Sequence, residues 1–597
     1  MPRNFNLPHL PLGEARTQAY ISPQQVPHQL ILPERDPGEH SSFLRRRLKN
    51  LEEEVYSRYG PSKETALITI MGKPGHDLKS ESAADKRTKT ELLIEGRNDE
   101  GAPYAVVRVS KTGFKVWGKK FREFGEEITQ KGNPKNNDFV SGIENMRLAL
   151  LRELFIGDSE EWPEDSNEEV LWEVWLRGGS FDSESAKKIR SSFVAIAQGL
   201  KLDINSSKYI EFTERQVLLI KSSTQNLSKA VEFSEDVAEI HPPSRVILQN
   251  INREGCTIDN MNDLINRCNI PDPESPRVTI IDTGLTDGHP LLEHLIAPDG
   301  LHTVDSSSSN TSDYRGHGTE VAGVAAYGDL TELLTDDKPV NIPHLLESVR
   351  ISLGEGGTED LWGEITEEAF KAVETAEPNV NRVFNMSIGA KSSIGGRPTS
   401  WSAMVDNLCY RDGYGRLLTV AAGNVDPLDK GGYTSRNLSQ SIDDPGQALN
   451  AITVGGFTRL AEILDSTGDY SEYELLAGEG QISPHTTSGP AKFAIKPEIL
   501  CEAGNVLFHE PGSPHDSALF EEFVDGISIL TTNRNFITKP VINSAQTSMA
   551  APQAARMLAT IWAINPNYKP ATIRGLLIHS ATWTAEMEQQ FTKRSEL

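Results

Sequence analysis

The chain has 597 residues, 37% of them hydrophobic, which is more than one hydrophobic core normally serves. Its formal net charge of −26 argues against a nucleic-acid partner, because phosphate binding needs a basic surface. No stretch of the sequence approaches the roughly 20 apolar residues that span a bilayer. These features favour a multi-domain enzyme of the soluble type.

The opening segment MPRNFNLP is polar and contains two prolines, so it predicts no signal peptide. The cysteines show neither the density of a disulfide scaffold nor a CxxC pair. They are Cys256, Cys268, Cys409 and Cys501. We therefore expect reduced thiols and a cytoplasmic location.

The first 60 residues are predicted to form an extended arm and a helix. Residues 1–40 are rich in Pro, Gln and His, and a charged amphipathic helix is expected near residues 42–58. The basic cluster from Arg45 to Lys49 is followed by Glu52, Glu53 and Glu54 at helical spacing. This pattern favours an ion-paired surface over a binding patch.

Residues 61–240 have the pattern of an α+β domain. Strand-like runs occur at residues 66–70 and 104–109, and helices are predicted near residues 114–130 and 185–200. The run at 104–109 with its helix resembles a second unit, in which a strand at 216–220 precedes a helix around residues 227–240. We expect a small sandwich in which one strand-helix unit is repeated.

The part of the chain after residue 241 contains several segments whose residues are typical of an active site. The β-branched run from Arg277 to Ile281 predicts a buried strand that ends at Asp282. Ligand crevices of parallel sheets lie at such carboxyl ends. His317 stands between two glycines and leads into small residues that predict a closely packed helix, with the imidazole at its start.

Two further segments complete this pattern. An apolar strand from Leu417 to Val420 runs toward Asn424. Ser548 precedes MAAPQAA, where a proline expected only in a first turn predicts the start of a helix. Unpaired backbone donors and the positive end of the helix dipole would then face a developing oxyanion. After a last helix at residues 571–580, residues 586–597 are predicted to be a polar tail.

An acid, an imidazole and a hydroxyl can together make a weak alcohol attack a peptide carbonyl. Taken singly, the motifs at Asp282, His317 and Ser548 could be a strand-to-turn signal, a loop and a helix cap. Their combination with Asn424 makes these structural explanations improbable. Ser548 also lacks the Gly-x-Ser-x-Gly sequence of a lipase or esterase.

The motifs VTIIDTG, RGHGT and TSMAAP, in this order, resemble those of the subtilisin-like serine peptidases, the subtilases of peptidase family S8. The resemblance covers residues 271–582, and the long N-terminal region is similar to that of intracellular bacterial members. It implies an α/β fold in which a three-layer catalytic domain with a mostly parallel sheet, residues 241–597, follows the α+β domain. It also implies a triad of Asp282, His317 and Ser548, with Asn424 in the oxyanion hole, in a serine endopeptidase that forms an acyl-enzyme and needs no cofactor.

The resemblance extends to substrate binding. Ser387, Ile388 and Gly389 look like the family segment whose edge pairs with the peptide as an added strand. Asp443 and Asp444 lie in a segment similar to the one lining the pocket for the residue before the scissile bond (P1), where carboxylates would favour Lys or Arg. The alternative is that the two aspartates belong to a solvated turn.

Three positions depart from the family pattern. Gln546 stands where subtilases usually have glycine before Thr-Ser-Met-Ala, and Glu320 stands where many members have a second histidine. Leu291 follows His289-Pro290 where extracellular members often have an acidic calcium ligand, and leucine cannot coordinate a hard cation. We therefore expect no metal at that site.

The role of the N-terminal half stays open between a removable prodomain and a retained recognition domain, and we favour retention. Protein or peptide substrates are expected, and the resemblance to long intracellular members suggests an AAA-type ATPase partner. The alternative function is a latent or inactive regulatory module on a subtilase scaffold, closed by Gln546 or by the N-terminal half.

Overall fold

The computed structural model describes residues 30–591, apart from residues 62, 99, 131, 158–160, 179–182, 244–257, 305–307, 353–360, 392–394, 411–414, 426–431, 465–469, 490–493 and 510–518. Most of the predicted arm, as well as Cys256, lies outside the described residues. The chain divides into two compact units, the first of which ends at Pro243.

The first unit combines helices with antiparallel strands. Its helices are α1 (Pro37–Tyr59), α2 (Lys111–Glu126), α3 (Asn137–Val140), α4 (Ser183–Gly199) and α5 (Thr224–Phe233). Its strands are β1 (Thr65–Met71), β2 (Glu91–Arg97), β3 (Pro103–Ser110), β4 (Asn145–Leu148), β5 (Val170–Arg177), β6 (Asp203–Glu211), β7 (Arg215–Ser222) and β8 (Val237–His241). Helix α1 begins with Pro37 in its first turn, and the Asp36 side chain accepts a hydrogen bond from the Glu39 N–H.

The strands form two four-stranded sheets, in the orders β2-β3-β1-β4 and β6-β7-β5-β8. The two orders are the same, as the similarity between the two sequence segments suggested. The helix predicted over residues 227–240 is too long, because α5 ends at Phe233 and residues 237–241 form β8 along β5. The Ser234 hydroxyl accepts from the Asp236 N–H and turns the chain between them.

Each sheet of the first unit contributes to a hydrophobic core. Helices α1 and α2 bury Leu44, Leu51, Trp117 and Phe121 against one face of the first sheet. Residues of its other face pack with the second sheet and with α4 and α5 in a separate cluster.

The second unit is built around a large parallel sheet. Its helices are α6 (Ile258–Arg267), α7 (Pro290–Glu293), α8 (His317–Tyr327), α9 (Leu330–Leu333), α10 (Trp362–Ala376), α11 (Ser400–Tyr410), α12 (Tyr433–Ser439), α13 (Thr547–Ile564), α14 (Pro570–Ser580) and α15 (Ala585–Gln590). Its strands are β9 (Cys268–Asn269), β10 (Arg277–Asp282), β11 (Ile296–Thr303), β12 (Val340–Asn341), β13 (Leu345–Arg350), β14 (Arg382–Met386), β15 (Leu417–Ala421), β16 (Ile452–Phe457), β17 (Glu474–Leu475), β18 (Ile499–Glu502), β19 (Leu507–His509), β20 (Leu519–Glu521), β21 (Ile529–Thr532) and β22 (Val541–Ser544).

The central sheet has the strand order β11-β13-β10-β14-β15-β16-β18, and its neighbouring strands pair in parallel. Both of its faces are covered, as expected of a parallel sheet. On β14, Val383 packs into the core formed with α8 and α13, whereas Phe384 stacks on Phe370 of α10 with ring centroids 3.8 Å apart. The predicted three-layer α/β fold is therefore confirmed.

Two local predictions differ from the structure. Pro552 is the sixth residue of α13, not a first-turn residue, so the helix tolerates the loss of one internal N–H donor. Residues 586–590 are not a tail but part of α15, because Met587 and Phe591, four residues apart, are both buried against the unit.

Candidate active site

The carboxyl ends of adjacent strands bring the predicted catalytic side chains to one edge of the central sheet. Asp282 is the last residue of β10, and His317 is the first residue of α8. Ser387 directly follows β14, the neighbour of β10, and Ser548 is the second residue of α13. Helices α8 and α13 pack against each other in the same core.

Asp282 and His317 form a buried pair. The imidazole Nδ1 lies 2.9 Å from Oδ1 and 3.0 Å from Oδ2 of the fully buried Asp282 carboxylate. The Thr283 N–H donates to Oδ1 at 2.8 Å and so helps to orient the carboxylate. With its proton on Nδ1, the ring presents Nε2 as the acceptor nitrogen.

The surroundings of His317 favour its protonated form. Burial alone would lower the pKa of the imidazole, but attraction by Asp282 and the hydrogen bond to it outweigh that effect. Glu320 and Asp313 contribute in the same direction, so the pKa of His317 lies above its ordinary value of 6.5. Burial also raises the pKa of the Glu320 carboxyl, which accepts a hydrogen bond from the Ser544 hydroxyl at 2.9 Å.

Ser548 is held by a reciprocal contact with Ser387. The Ser548 hydroxyl donates to the Ser387 carbonyl oxygen at 3.1 Å, and the Ser387 hydroxyl donates to the Ser548 carbonyl oxygen at 2.8 Å. In a regular helix the Ser548 carbonyl would accept from the N–H four residues later. That residue is Pro552, which has no N–H, so the Ser387 hydroxyl takes its place. Among the described residues, no hydrogen bond joins Ser548 Oγ to His317 in this conformation.

Asn424 lies three residues beyond the end of β15 and contacts the start of α13. Its Oδ1 accepts from the Thr547 N–H and the Thr547 hydroxyl, both at 2.9 Å. These bonds orient the carboxamide with Nδ2 on the other side, where it donates to Gln546 Oε1 at 3.2 Å. The donor predicted for the oxyanion hole is thus in contact with the residue that replaces glycine.

The predicted substrate segments lie beside this group. Ser387 and Ile388 are buried, whereas Gly389 is half-buried. Ala390 pairs with Asp444 in both directions, with N–H to oxygen distances of 2.9 and 2.8 Å. The edge predicted to bind a peptide is therefore partly paired with another segment of the chain itself.

Asp443 and Asp444 are both buried, so a solvated turn is the wrong interpretation of this pair. The Lys391 Nζ lies 3.5 Å from Asp443 Oδ2 and also donates to the Asn424 carbonyl oxygen. Asp444 accepts from the Thr399 hydroxyl. Each carboxylate therefore already has a polar neighbour from elsewhere in the same unit.

Asp313 is a site residue that the sequence analysis missed. Its Oδ1 accepts from the Thr283 hydroxyl and from the N–H groups of Arg315 and Gly316, and its Oδ2 accepts from the N–H and hydroxyl of Thr319, at distances from 2.6 to 3.0 Å. The carboxylate thus satisfies free donors at the start of α8 and ties that helix to the residue after Asp282. The sequence signal is an aspartate four residues before the histidine, in a glycine-containing loop.

Across the described part of the chain, no group of three or more His, Cys, Asp or Glu side chains is placed to hold a metal ion. Leu291, at the position considered for a calcium ligand, is buried in the core. Of the helices that the structure describes, none is both long and apolar enough to cross a membrane.

Comparison with known proteins points to one family. The sequence profile described as the Subtilase family matches residues 274–595. A subtilisin of Bacillus sp. (strain TA39) is 26% identical over 307 residues, which are 51% of this chain and 60% of the relative. The major intracellular serine protease of Bacillus subtilis (strain 168) is 26% identical over 210 residues, 35% of this chain and 59% of the relative. The match thus spans about three fifths of the length of each relative.

Among solved structures, the epidermin leader peptide processing serine protease of Staphylococcus aureus is 15% identical, with a TM-score of 0.41 over 69% of this chain and 93% of that one. The family profile covers more than half of the chain and includes the segments that carry Asp282, His317, Asn424 and Ser548. The chain belongs to the subtilase family.

Proposed function

We propose that this chain is a serine endopeptidase that hydrolyses peptide bonds through an acyl-enzyme intermediate. The observation that carries the proposal is the buried Asp282–His317 pair at the sheet edge where Ser548 lies in the first turn of α13. In this proposal Ser548 is the nucleophile, His317 the general base and acid, and Asp282 the group that orients the imidazole.

The reaction begins when the Ser548 hydroxyl turns from the Ser387 carbonyl toward His317 Nε2. Its oxygen attacks the peptide carbonyl carbon while Nε2 takes the proton, and the C–N bond then breaks as Nε2 gives that proton to the leaving amine. A water molecule next gives a proton to Nε2 and attacks the acyl carbon. The acid is released and Ser548 Oγ recovers the proton.

The oxyanion formed in each half-reaction needs donors in place before it forms. The Asn424 Nδ2 and the Ser548 N–H at the start of α13 are the proposed pair. Loss of one such donor removes roughly 3–4 kcal/mol of transition-state stabilisation. Asn424→Ala is therefore expected to lower kcat by about two to three orders of magnitude.

The test is labelling of the full chain with a fluorophosphonate probe, which reacts with an activated serine. Wild type is expected to be labelled and Ser548→Ala not. Ser439→Ala, which changes an exposed serine, is the matched control and should be labelled like wild type. Labelling that persists in Ser548→Ala would contradict the proposal.

The second candidate is a latent module on the same scaffold. It is favoured by the resting contacts of the site, in which Ser548 donates to Ser387 and Asn424 donates to Gln546. Full-length wild type that hydrolyses no member of a peptide library and takes no probe would support this candidate.

We further propose that Asp443 and Asp444 favour Lys or Arg at P1. Two buried carboxylates beside the Ala390 segment support this, although each already has a polar neighbour. Peptide-library profiling should find Lys and Arg enriched before the cleaved bond, and Asp443→Asn should reduce that enrichment. A flat profile at P1 would contradict the pocket.

For the rest of the chain, we propose that residues 61–240 are a retained recognition domain, that the protein acts in the cytoplasm, and that an AAA-type ATPase assists it. The name of the intracellular Bacillus relative and the free thiols of Cys268, Cys409 and Cys501 support the location. Intact mass spectrometry of the probe-labelled protein tests retention, since a removable prodomain would leave a shorter labelled chain.

A further inference from the structure

Gln546 has a backbone conformation that side chains rarely adopt. Its φ of 80° and ψ of 173° lie in a region that is essentially restricted to glycine. Lys89 and Asn136 also have positive φ, but both fall in the ordinary left-handed region. A glycine would adopt this backbone conformation without strain, whereas glutamine keeps it at a cost that the surrounding structure offsets.

The Gln546 side chain links the proposed oxyanion hole to a carboxylate. Its Oε1 accepts from Asn424 Nδ2 at 3.2 Å, and its Nε2 donates to Glu522 Oε2 at 3.2 Å. Glu522 follows β20 and is about one-fifth exposed. A carboxylate can only accept and an amide nitrogen can only donate, so these two partners fix which way the glutamine amide faces.

This contact uses the donor that the reaction needs. Thr547 already engages the Asn424 Oδ1, so Nδ2 is the polar group of that side chain that remains to meet a substrate oxygen. In the resting structure an uncharged amide oxygen accepts a hydrogen bond from one of the two N–H groups of Nδ2. The Glu522 carboxylate, on the far side of the glutamine amide, holds that oxygen in place.

We propose that Gln546 is a latch on the oxyanion hole, anchored by Glu522 and displaced by the substrate carbonyl when it binds. The inference rests on the proposed function, because it assigns Asn424 Nδ2 to the oxyanion. Gln546 is a positioning residue in this scheme, since it acts on the reaction through Asn424. A small electrophile binds the protein only near Ser548 and gains little binding energy with which to displace the latch. The latch therefore lowers the rate at which Ser548 reacts with such a molecule.

The test compares rates of fluorophosphonate labelling in full-length variants. Gln546→Ala removes the latch and keeps the strained backbone, whereas Gln546→Gly removes both, and Glu522→Ala removes the anchor alone. Both Gln546 variants are expected to react about fivefold to tenfold faster than wild type. This factor corresponds to the free energy of one hydrogen bond, which the probe no longer has to break. Glu522→Ala should accelerate labelling by a smaller factor.

A double-mutant cycle shows whether the effect passes through Asn424. In an Asn424→Ala background, Gln546→Ala should give no acceleration, because the donor that the latch engages is gone. With a peptide substrate, the gain should appear in kcat and not only in KM.

Several results would overturn the latch. Equal or slower labelling of both Gln546 variants, or an acceleration that persists with Asn424→Ala, excludes it while leaving the proposed peptidase intact. If Ser548-dependent labelling is missing from wild type and from every variant, the proposed function and the latch fail together. The Glu522→Ala variant gives a separate readout should a Gln546 variant fold poorly.

Discussion

Glu320 is a second carboxylic acid that raises the pKa of His317, in addition to Asp282. It lies in the first turn of α8, three residues after the histidine, and its Oε2 accepts from the Ser544 hydroxyl. When ionised, it stabilises the imidazolium and so contributes to the raised pKa of His317. Its own pKa is raised by burial, so this effect operates at the alkaline side of neutrality, where the carboxyl is charged.

Glu320→Gln is therefore expected to lower the pKa of His317. The proposed reaction needs the neutral imidazole, so activity should be present above the pKa of His317 and be lost as the pH falls through it. The acid limb of the kcat/KM profile should lie above pH 6.5 in wild type and move to lower pH in the variant. Glu332→Gln, which removes an exposed acid, serves as the control and should leave the limb in place. A limb that moves upward would contradict this role of Glu320.

In the proposed P1 pocket, Lys391 would compete with a basic substrate side chain for Asp443. Its ammonium group lies 3.5 Å from the Asp443 carboxylate, and its side chain is about two-thirds exposed. Lys391→Met should raise the kcat/KM ratio of Arg over Leu at P1 by about twofold to fivefold, the size expected for one exposed ion pair. Lys371→Met removes a lysine that pairs with Glu367 on a helix surface and is the matched control. An unchanged ratio would mean that Asp443 does not interact with the P1 side chain.

At the scale of elements, a buried charge cluster joins three strands of the central sheet. Glu347 of β13 accepts from Arg277 of β10 at 2.7 Å and from Arg382 of β14 at 2.8 Å. Burial alone would raise the pKa of Glu347, but the two guanidinium groups and the Thr279 hydroxyl hold it below its ordinary value. The cluster lies at the opposite ends of the strands from the proposed catalytic residues.

Glu347→Ala is expected to destabilise the second unit by about 3–5 kcal/mol, because two guanidinium groups would stay buried without their counter-ion. Since the pKa of Glu347 is depressed on folding, the wild-type contribution is present above about pH 4.5 and is lost as the pH falls through the folded value. Denaturant unfolding at pH 7 measures the loss. Glu374→Ala breaks the partly exposed pair with Arg416 and should cost at most about 1 kcal/mol. Equal losses in the two variants would contradict this account.

The elements that carry the site were predictable where one local signal decides the structure. The apolar run before Asp282 and the small residues after His317 are such signals, and β10 and α8 lie where they were expected. The sequence could not show that Pro552 would sit inside α13, because the hydroxyl of Ser387, directly after β14, compensates there for the missing N–H. Asp313 was missed in part for a related reason, since Thr283, thirty residues before it, is brought to its carboxylate only by the fold. Contacts of Lys391 and Gln546 with Asn424 likewise join residues far apart in sequence.

At the scale of the whole molecule, the two units have separate hydrophobic cores. The first is centred on clusters such as that of Trp117 and Phe121, and the second on the core shared by α8, α13 and the parallel sheet. Each core is large enough to support its own cooperative transition. We propose that residues 61–240, together with α1, and residues 241–597 unfold as separate units.

Calorimetry of the full chain is therefore expected to resolve two transitions. Trp117→Ala should lower only one of them, because it empties a fully buried site and breaks the hydrogen bond from Trp117 Nε1 to the Ala83 carbonyl oxygen, at a cost of about 3–5 kcal/mol. Glu347→Ala should lower only the other, since its cluster belongs to the parallel sheet. A covalent fluorophosphonate adduct on Ser548 identifies the transition of the catalytic unit, because a group bound within a folded site changes the stability of that unit alone. A single transition that both substitutions shift equally would contradict independent domains and would favour an N-terminal half that folds together with the catalytic core.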